Sequence, residues 1–217
     1  MYLNLHSHSP AKNGETVIQS LSGHYETAGG KGLFSLGIHP WYIADPPLVQ
    51  WESLQRWAGL PQVVAIGECG LDKVCTTPFS LQEMVFRDQI RLAATLKKPL
   101  IIHCVRAWEE VFSLLQSAHP GVPVVFHGYA KNAELALRII NKGYYISFGK
   151  ALSSAALQET LRNIPPDRFF LETDDSMLGI ATVYQWAAEA LAIDGNSLSL
   201  QLQNNARTVF GPAFPEL

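Results

Sequence analysis

Leu100-Ile101-Ile102-His103 is an unbroken apolar run that ends on a histidine. A strand with one solvated face alternates apolar and polar residues. This run does not alternate, so both of its faces are covered, as in a parallel sheet. The pattern recurs along the chain, at Tyr2 to Leu5, Thr16 to Leu21, Gly32 to Ile38, Val63 to Gly67, Val122 to His127, Tyr144 to Phe148 and Arg168 to Glu172. Together these runs predict eight strands.

Helical patterns fill most of the gaps. Leu48 to Leu60 follows Pro46-Pro47, and Trp51, Leu54 and Ala58 share one face. Leu81 to Leu96 is the clearest helix, with Ser80 and Glu83 spaced as a capping box ahead of it. Trp108 to Leu115 follows the fifth strand. Asn132 is placed to cap a helix that runs to Asn141, where Lys142-Gly143 gives a C-terminal charge and a stop. Ala155 to Asn163 ends before Pro165-Pro166, and Thr182 to Ala192 and Ser197 to Val209 close the chain. Alternating strands and helices predict an α/β fold, a distorted (β/α)8 TIM barrel in one domain, 1–217. A doubly wound open sheet is the alternative. Too few residues separate the first strands for full crossover helices, so the barrel is expected to be abbreviated around the first two strands.

The composition narrows the class. The chain has 217 residues, 47% apolar and 16% charged, with a formal net charge of −3. The low charge fits many buried strands, and no global basic field marks a nucleic-acid coat protein. The three cysteines, Cys69, Cys75 and Cys104, are odd in number and form no CxxC pair. They suit a reducing cytoplasm better than a disulfide framework. Nothing in the sequence calls for a membrane span, a signal peptide or an obligate protein partner.

The polar residues at the strand ends carry the chemistry. They are His6-Ser7-His8, His39, Glu68, His103, His127 and Glu172-Thr173-Asp174-Asp175, and they include five of the seven histidines. In a parallel barrel these ends converge on one face, where active sites lie. The H-x-H spacing has period two, so both imidazoles project to one side of a strand. A single histidine at a strand end is usually structural. Independent structural reasons would not place this whole set at strand ends. Imidazoles and carboxylates are ligands for one or two divalent ions among Zn, Mg, Mn and Ni, with Mg preferring oxygen. Two ions sharing a carboxylate suit phosphoester hydrolysis.

These residues also carry a family resemblance. His6-x-His8, Gly37-Ile38-His39-Pro40, Val64-Ala65-Ile66-Gly67-Glu68-Cys69-Gly70-Leu71-Asp72, Ile102-His103-Cys104, His127-Gly128-Tyr129, Leu171-Glu172-Thr173-Asp174 and Asn204-Asn205-Ala206-Arg207-Thr208-Val209-Phe210-Gly211 resemble the TatD family of metal-dependent deoxyribonucleases. The resemblance implies an amidohydrolase-like barrel. It implies that His6, His8 and Asp174 hold one metal, that His103 and His127 hold a second, and that Glu68 bridges. Glu68 and Asp174 are then the catalytic carboxylates, with Asp174 orienting or deprotonating the attacking water. His39 and Arg106 are expected to meet the substrate phosphate, and the implied substrate is DNA or another phosphoester. The chain departs from the family pattern at Ser9-Pro10, at Val105 and at Asp175-Ser176, all in loops that face substrate.

Other residues have competing readings. Asp72 orients loops or ligands, or simply forms a turn. Cys69 and Cys104 are catalytic thiols or small buried residues, and the second reading is the more common. Trp41 and Tyr42 stack on bases or pack over the barrel mouth. Lys131 and Lys150 meet phosphate or are solvated loop charges. At the level of function, the alternatives to a nuclease are a hydrolase of a small amide, lactone or phosphate ester, and a scaffold that keeps the ligands without turnover.

Overall fold

The computed structural model describes residues 1–12, 14–211 and 214. The strands are β1 (Tyr2–Ser7), β2 (Glu15–Leu21), β3 (Leu33–Leu36), β4 (Val63–Asp72), β5 (Leu100–Val105), β6 (Val124–Phe126), β7 (Tyr145–Phe148) and β8 (Phe169–Leu171). The helices are α1 (Leu48–Ala58), α2 (Phe79–Leu96), α3 (Trp108–Ala118), α4 (Ala133–Asn141), α5 (Ala155–Arg162), α6 (Ile180–Leu191) and α7 (Gly195–Phe210). The sheet runs β1 to β8 in chain order, and the pairs β1–β2, β3–β4, β4–β5, β6–β7 and β7–β8 are parallel. Ser7 also bridges in parallel to Asp174, just past β8. This order is that of a (β/α)8 barrel; a doubly wound sheet would break it at a switch point. No helix among the described residues is long and apolar enough to cross a membrane.

The chain forms two compact units, residues 1–19 with 125–217, and residues 20–124. In the first unit Leu3, Leu5, Phe126, Phe148, Phe169 and Phe170 of the strands are buried, as are Tyr184, Leu198 and Leu202 of α6 and α7. Each such side chain contributes roughly 1.5–3 kcal/mol relative to exposure. The Tyr184 hydroxyl accepts from Leu3 N–H and donates to Leu3 C=O, which fastens β1 to α6. Asn132, Ser154 and Asp194 cap α4, α5 and α7 through their side-chain oxygens. The cap expected at Asn132 is therefore formed.

In the second unit Phe34, Leu36, Leu54, Ile66, Phe86, Ile90 and Ile101 make the core. Two expectations are corrected here. α2 begins at Phe79 behind Pro78, with no side-chain cap. Ser80 lies inside its first turn, so the capping box of Ser80 and Glu83 does not form, because Pro78 carries the turn-setting backbone and accepts from Leu81 and Gln82 N–H. β4 extends to Asp72, so Glu68 lies within the strand and not at its end.

The abbreviated start has a plain structural form. Residues 8–12 and 14, between β1 and β2, form no helix. A short 3-10 turn, Tyr25–Gly29, stands between β2 and β3.

Candidate metal centres

In the first unit the cluster starts from the irregular end of β1. Tyr2, Leu3 and Asn4 pair in step with Glu15, Thr16 and Val17, but Ser7 pairs with Gln19. Three steps along β1 thus match two along β2, and such an irregularity re-aims the side chains it carries. His6 is fully buried and His8 is half exposed, with ring centroids 5.2 Å apart. Both reach one carboxylate oxygen: Asp174 Oδ1 lies 3.5 Å from His6 Nε2 and 3.4 Å from His8 Nε2. The His127 ring centroid is 4.3 Å from that of His6.

Asp174 is held there by the main chain. Its N–H donates to His6 C=O at 2.9 Å, and its C=O accepts from His8 N–H at 3.3 Å. Its φ of 54° is left-handed, a region that Asp and Asn tolerate better than most residues. Burial raises its carboxyl pKa, but hydrogen bonds from His6 and His8 and the charge of His127 outweigh burial, and the group sits well below the usual carboxylate range.

Two neighbours hold this arrangement. Asn4 is buried; its Nδ2 donates to Thr173 Oγ1 at 2.8 Å and its Oδ1 accepts from Thr173 N–H at 3.0 Å. Glu172 is also buried, with Oε1 accepting from Gly128 N–H at 2.8 Å and lying 3.4 Å from His127 Nδ1. Neither role was visible in the sequence, which shows only that Glu172 and Thr173 precede Asp174.

In the second unit the cluster gathers on β4 and β5. The register slips between Ile66 and Cys69, so Glu68 sits on an irregularity as His6 does. Glu68 Oε1 lies 2.9 Å from His103 Nδ1 and 3.0 Å from His39 Nε2. His103 Nε2 lies 3.1 Å from Asp72 Oδ2, and the same carboxylate accepts from Trp41 Nε1 at 2.6 Å and Val74 N–H at 2.7 Å. Asp72 thus does both of the things expected of it: it shapes the turn after β4 and it orients a histidine. Burial opposes its charge, but the Trp41, Val74 and His103 hydrogen bonds prevail and lower its pKa.

Two glycines explain why motif spacing matters here. A Cβ on Gly37 would stand 2.5 Å from Glu68 C=O, and one on Gly70 would stand 2.0 Å from His103 C=O. Gly70 also has φ of 144°. Side chains at either position would push a ligand-bearing strand away.

The remaining candidates fall as follows. His39 is buried, with Nδ1 accepting from Trp41 N–H. Arg106 is exposed just past β5, with left-handed φ of 54°. Cys69 is buried and its thiol pKa is pushed up by burial and by Glu68, while burial pushes that of Cys104 up to about 12. Both behave as packing residues. Lys150 pairs with Asp175 at 3.3 Å, and Lys131 is exposed.

The ligand sets fit divalent ions. Two atoms each about 2.05 Å from one tetrahedral ion lie about 3.3 Å apart. The pairs of Asp174 with His6 and His8 are within 0.2 Å of that. Ligand atoms of His6, His127 and Asp174 all lie within 4.8 Å of one another, and so do those of His39, Glu68 and His103.

A (β/α)8 fold that carries His and carboxylate clusters with ligand spacing defines a class, the metal-dependent hydrolases. Residues 15–211 match the family described as TatD related DNase, and the chain belongs to the TatD family. An uncharacterised metal-dependent hydrolase of Buchnera aphidicola subsp. Baizongia pistaciae is 31% identical over 197 residues, 79% of this chain and 74% of that one. The 3'-5' ssDNA/RNA exonuclease TatD of Escherichia fergusonii is 28% identical over 224 residues, 90% of this chain and 83% of that one. The crystal structure of YJJV, a TatD homologue from Escherichia coli K12, superposes with a TM-score of 0.83 at 23% identity, over 96% of this chain and 97% of that one, and shares the fold. Some relatives are longer: the match spans 57% of the metal-dependent hydrolase YabD of Bacillus subtilis.

Proposed function

We propose that the protein hydrolyses phosphodiester bonds at the end of single-stranded DNA, using one or two divalent ions. The observation that carries this reading is the convergence of His6 and His8 on one Asp174 oxygen at 3.5 and 3.4 Å. That spacing serves a metal ion, and a nearby carboxylate serves a water molecule. The 3'-5' exonuclease name of the Escherichia fergusonii relative supports the substrate class.

In this reading His6, His8, His127 and Asp174 would hold one ion, and Glu68 and His103 would hold another. A bound divalent ion supplies Lewis acidity toward water and the phosphoryl oxygens. Asp174, kept anionic by its histidines, takes the proton of the attacking water. The water oxygen bonds to phosphorus and the ester oxygen leaves. His39 and Arg106 meet the phosphate. Asp72 and Glu172 fix the orientations of His103 and His127, as carboxylates do behind metal-bound imidazoles. The three free cysteines suit a reducing cytoplasm.

The test is reconstitution. Chelated protein is supplied with Zn, Mn, Mg or Ni, and hydrolysis of bis(p-nitrophenyl) phosphate and of a single-stranded oligonucleotide is followed. Release of mononucleotides with at least one metal supports the reading. Turnover of the small diester alone would replace DNA with a small phosphate ester as substrate.

A further inference from the structure

We propose that Trp41 and Tyr42 form a platform on which an unpaired nucleobase stacks, beside the His39–Glu68–His103 cluster. The proposal rests on the nucleic-acid reading above and names a binding subsite for it.

Large aromatic side chains are mostly covered in a folded chain, because each carries 150–250 Å² of surface. Trp41 and Tyr42 are adjacent in one 3-10 turn, and both are more than half exposed, at 56% and 58%. Such exposure usually belongs to a mobile surface ring. Trp41 is not mobile in that sense. Its Nε1 donates to the buried Asp72 carboxylate at 2.6 Å, and its main-chain N–H donates to His39 Nδ1 at 3.1 Å. The ring is therefore pinned by its edge, and more than half of the residue still faces solvent.

The chemistry of the indole face is restricted. Indole has a single donor, and Asp72 has taken it. What remains is a π surface, which binds another flat ring or a cation. The surroundings favour the ring. The Trp41 centroid lies 5.4 Å from His39 and 6.2 Å from His103, and Tyr42 lies 5.4 Å from His39. Once such a cluster held a divalent ion, the site would disfavour a further cation and favour a phosphodiester. A ligand that brings an anionic ester and a flat ring together is a nucleotide in a strand. The Trp41 and Tyr42 rings are 6.5 Å apart at 75°, so a base stacked on one meets the other edge to face. Only an unpaired, unstacked base offers its face, so the platform selects single strands. It tolerates any base, because every base has a π face.

The test uses the whole protein in chelator, so that binding is read without turnover. Fluorescence anisotropy compares a single-stranded oligothymidylate with an abasic strand of the same length. The wild type is expected to prefer the strand with bases. Trp41→Ala is expected to weaken binding of that strand by about 5- to 150-fold, the range for loss of one stacked base, and to bind the abasic strand as the wild type does. Tyr42→Ala is expected to lose part of the preference. Trp41→Phe keeps an aromatic face without the Asp72 hydrogen bond and is expected to stay within about threefold of wild type. Thermal melting confirms that each variant is folded. If Trp41→Ala and Tyr42→Ala bind both strands as the wild type does, while the wild type cleaves DNA, the platform is wrong and the nuclease reading stands. If the wild type neither binds nor cleaves either strand, the nucleic-acid reading fails and the platform falls with it.

Discussion

His103 Nε2 lies 3.1 Å from Asp72 Oδ2, while Nδ1 of the same ring lies 2.9 Å from Glu68 Oε1. One carboxylate thus orients the ring and another shares its opposite side. A metal-bound imidazole held this way gains both a fixed tautomer and basicity. Asp72→Asn keeps the shape and removes the charge. It is expected to weaken metal retention by about 10- to 100-fold, read as metal content after dialysis against a graded chelator series. Retention equal to wild type would show that Asp72 only shapes the turn to Val74.

The Asn4 to Thr173 pair does the same for the other cluster. Asn4 Nδ2 and Oδ1 satisfy Thr173 Oγ1 and N–H, next to Asp174. Asn4→Ala removes both of these hydrogen bonds and leaves Thr173 N–H only its longer bond to His6 C=O. It is expected to cost about 2–3 kcal/mol, and so to lower the melting temperature by roughly 5–10 °C for a chain of this size. A shift of under a degree would mean that water or a shifted β1 replaces Asn4.

Asp174 links stability to pH. Its folded pKa is held below the ordinary value by His6, His8 and His127 against the opposing effect of burial. A depressed carboxyl pKa contributes stability that is present above the unfolded value of about 3.9 and is lost as pH falls below it. In metal-free protein the stability gap between wild type and Asp174→Asn is therefore expected to be widest near pH 6 and to close as pH drops from about 4. Asparagine tolerates the left-handed backbone at 174, so the comparison isolates the charge. A gap that does not change between pH 6 and pH 3, read by denaturant melts, would contradict this.

The cysteines are expected to be inert where they lie beside the ligands. With the Cys104 pKa at about 12, about one part in 10⁴ is thiolate at pH 8. Cys69 is buried and pushed up as well. Mass spectrometry after brief iodoacetamide treatment of native protein is expected to find Cys69 and Cys104 unmodified, with phosphodiesterase activity retained. Rapid labelling of either, with loss of activity, would revive a thiol mechanism.

Much of this was legible in the sequence, and the parts that were not share a cause. Uninterrupted runs such as Leu100 to His103 announce strands covered on both faces, and H-x-H announces two imidazoles on one side. These signals are local. The extension of β4 to Asp72 was not legible, because it depends on Gly67 and Gly70, whose positive φ and missing side chains let the Ile101 and His103 backbones approach. Ser80 and Glu83 had the right spacing for a cap, but Pro78 had already set the turn. The work of Asn4, Glu172 and Trp41 is long-range. Asn4 meets Thr173 across 169 positions, and no periodicity encodes such a pair.

The most direct measurement is hydrolysis of a 3′-labelled single-stranded DNA with Mg and Mn supplied in turn, comparing wild type with Glu68→Ala and Asp174→Asn. The account predicts metal-dependent release of the labelled terminal nucleotide by the wild type, and loss of at least about 10²-fold in rate in both variants, the scale of losing a general base. Absence of cleavage by wild type with metal bound, or full activity in either variant, would contradict it.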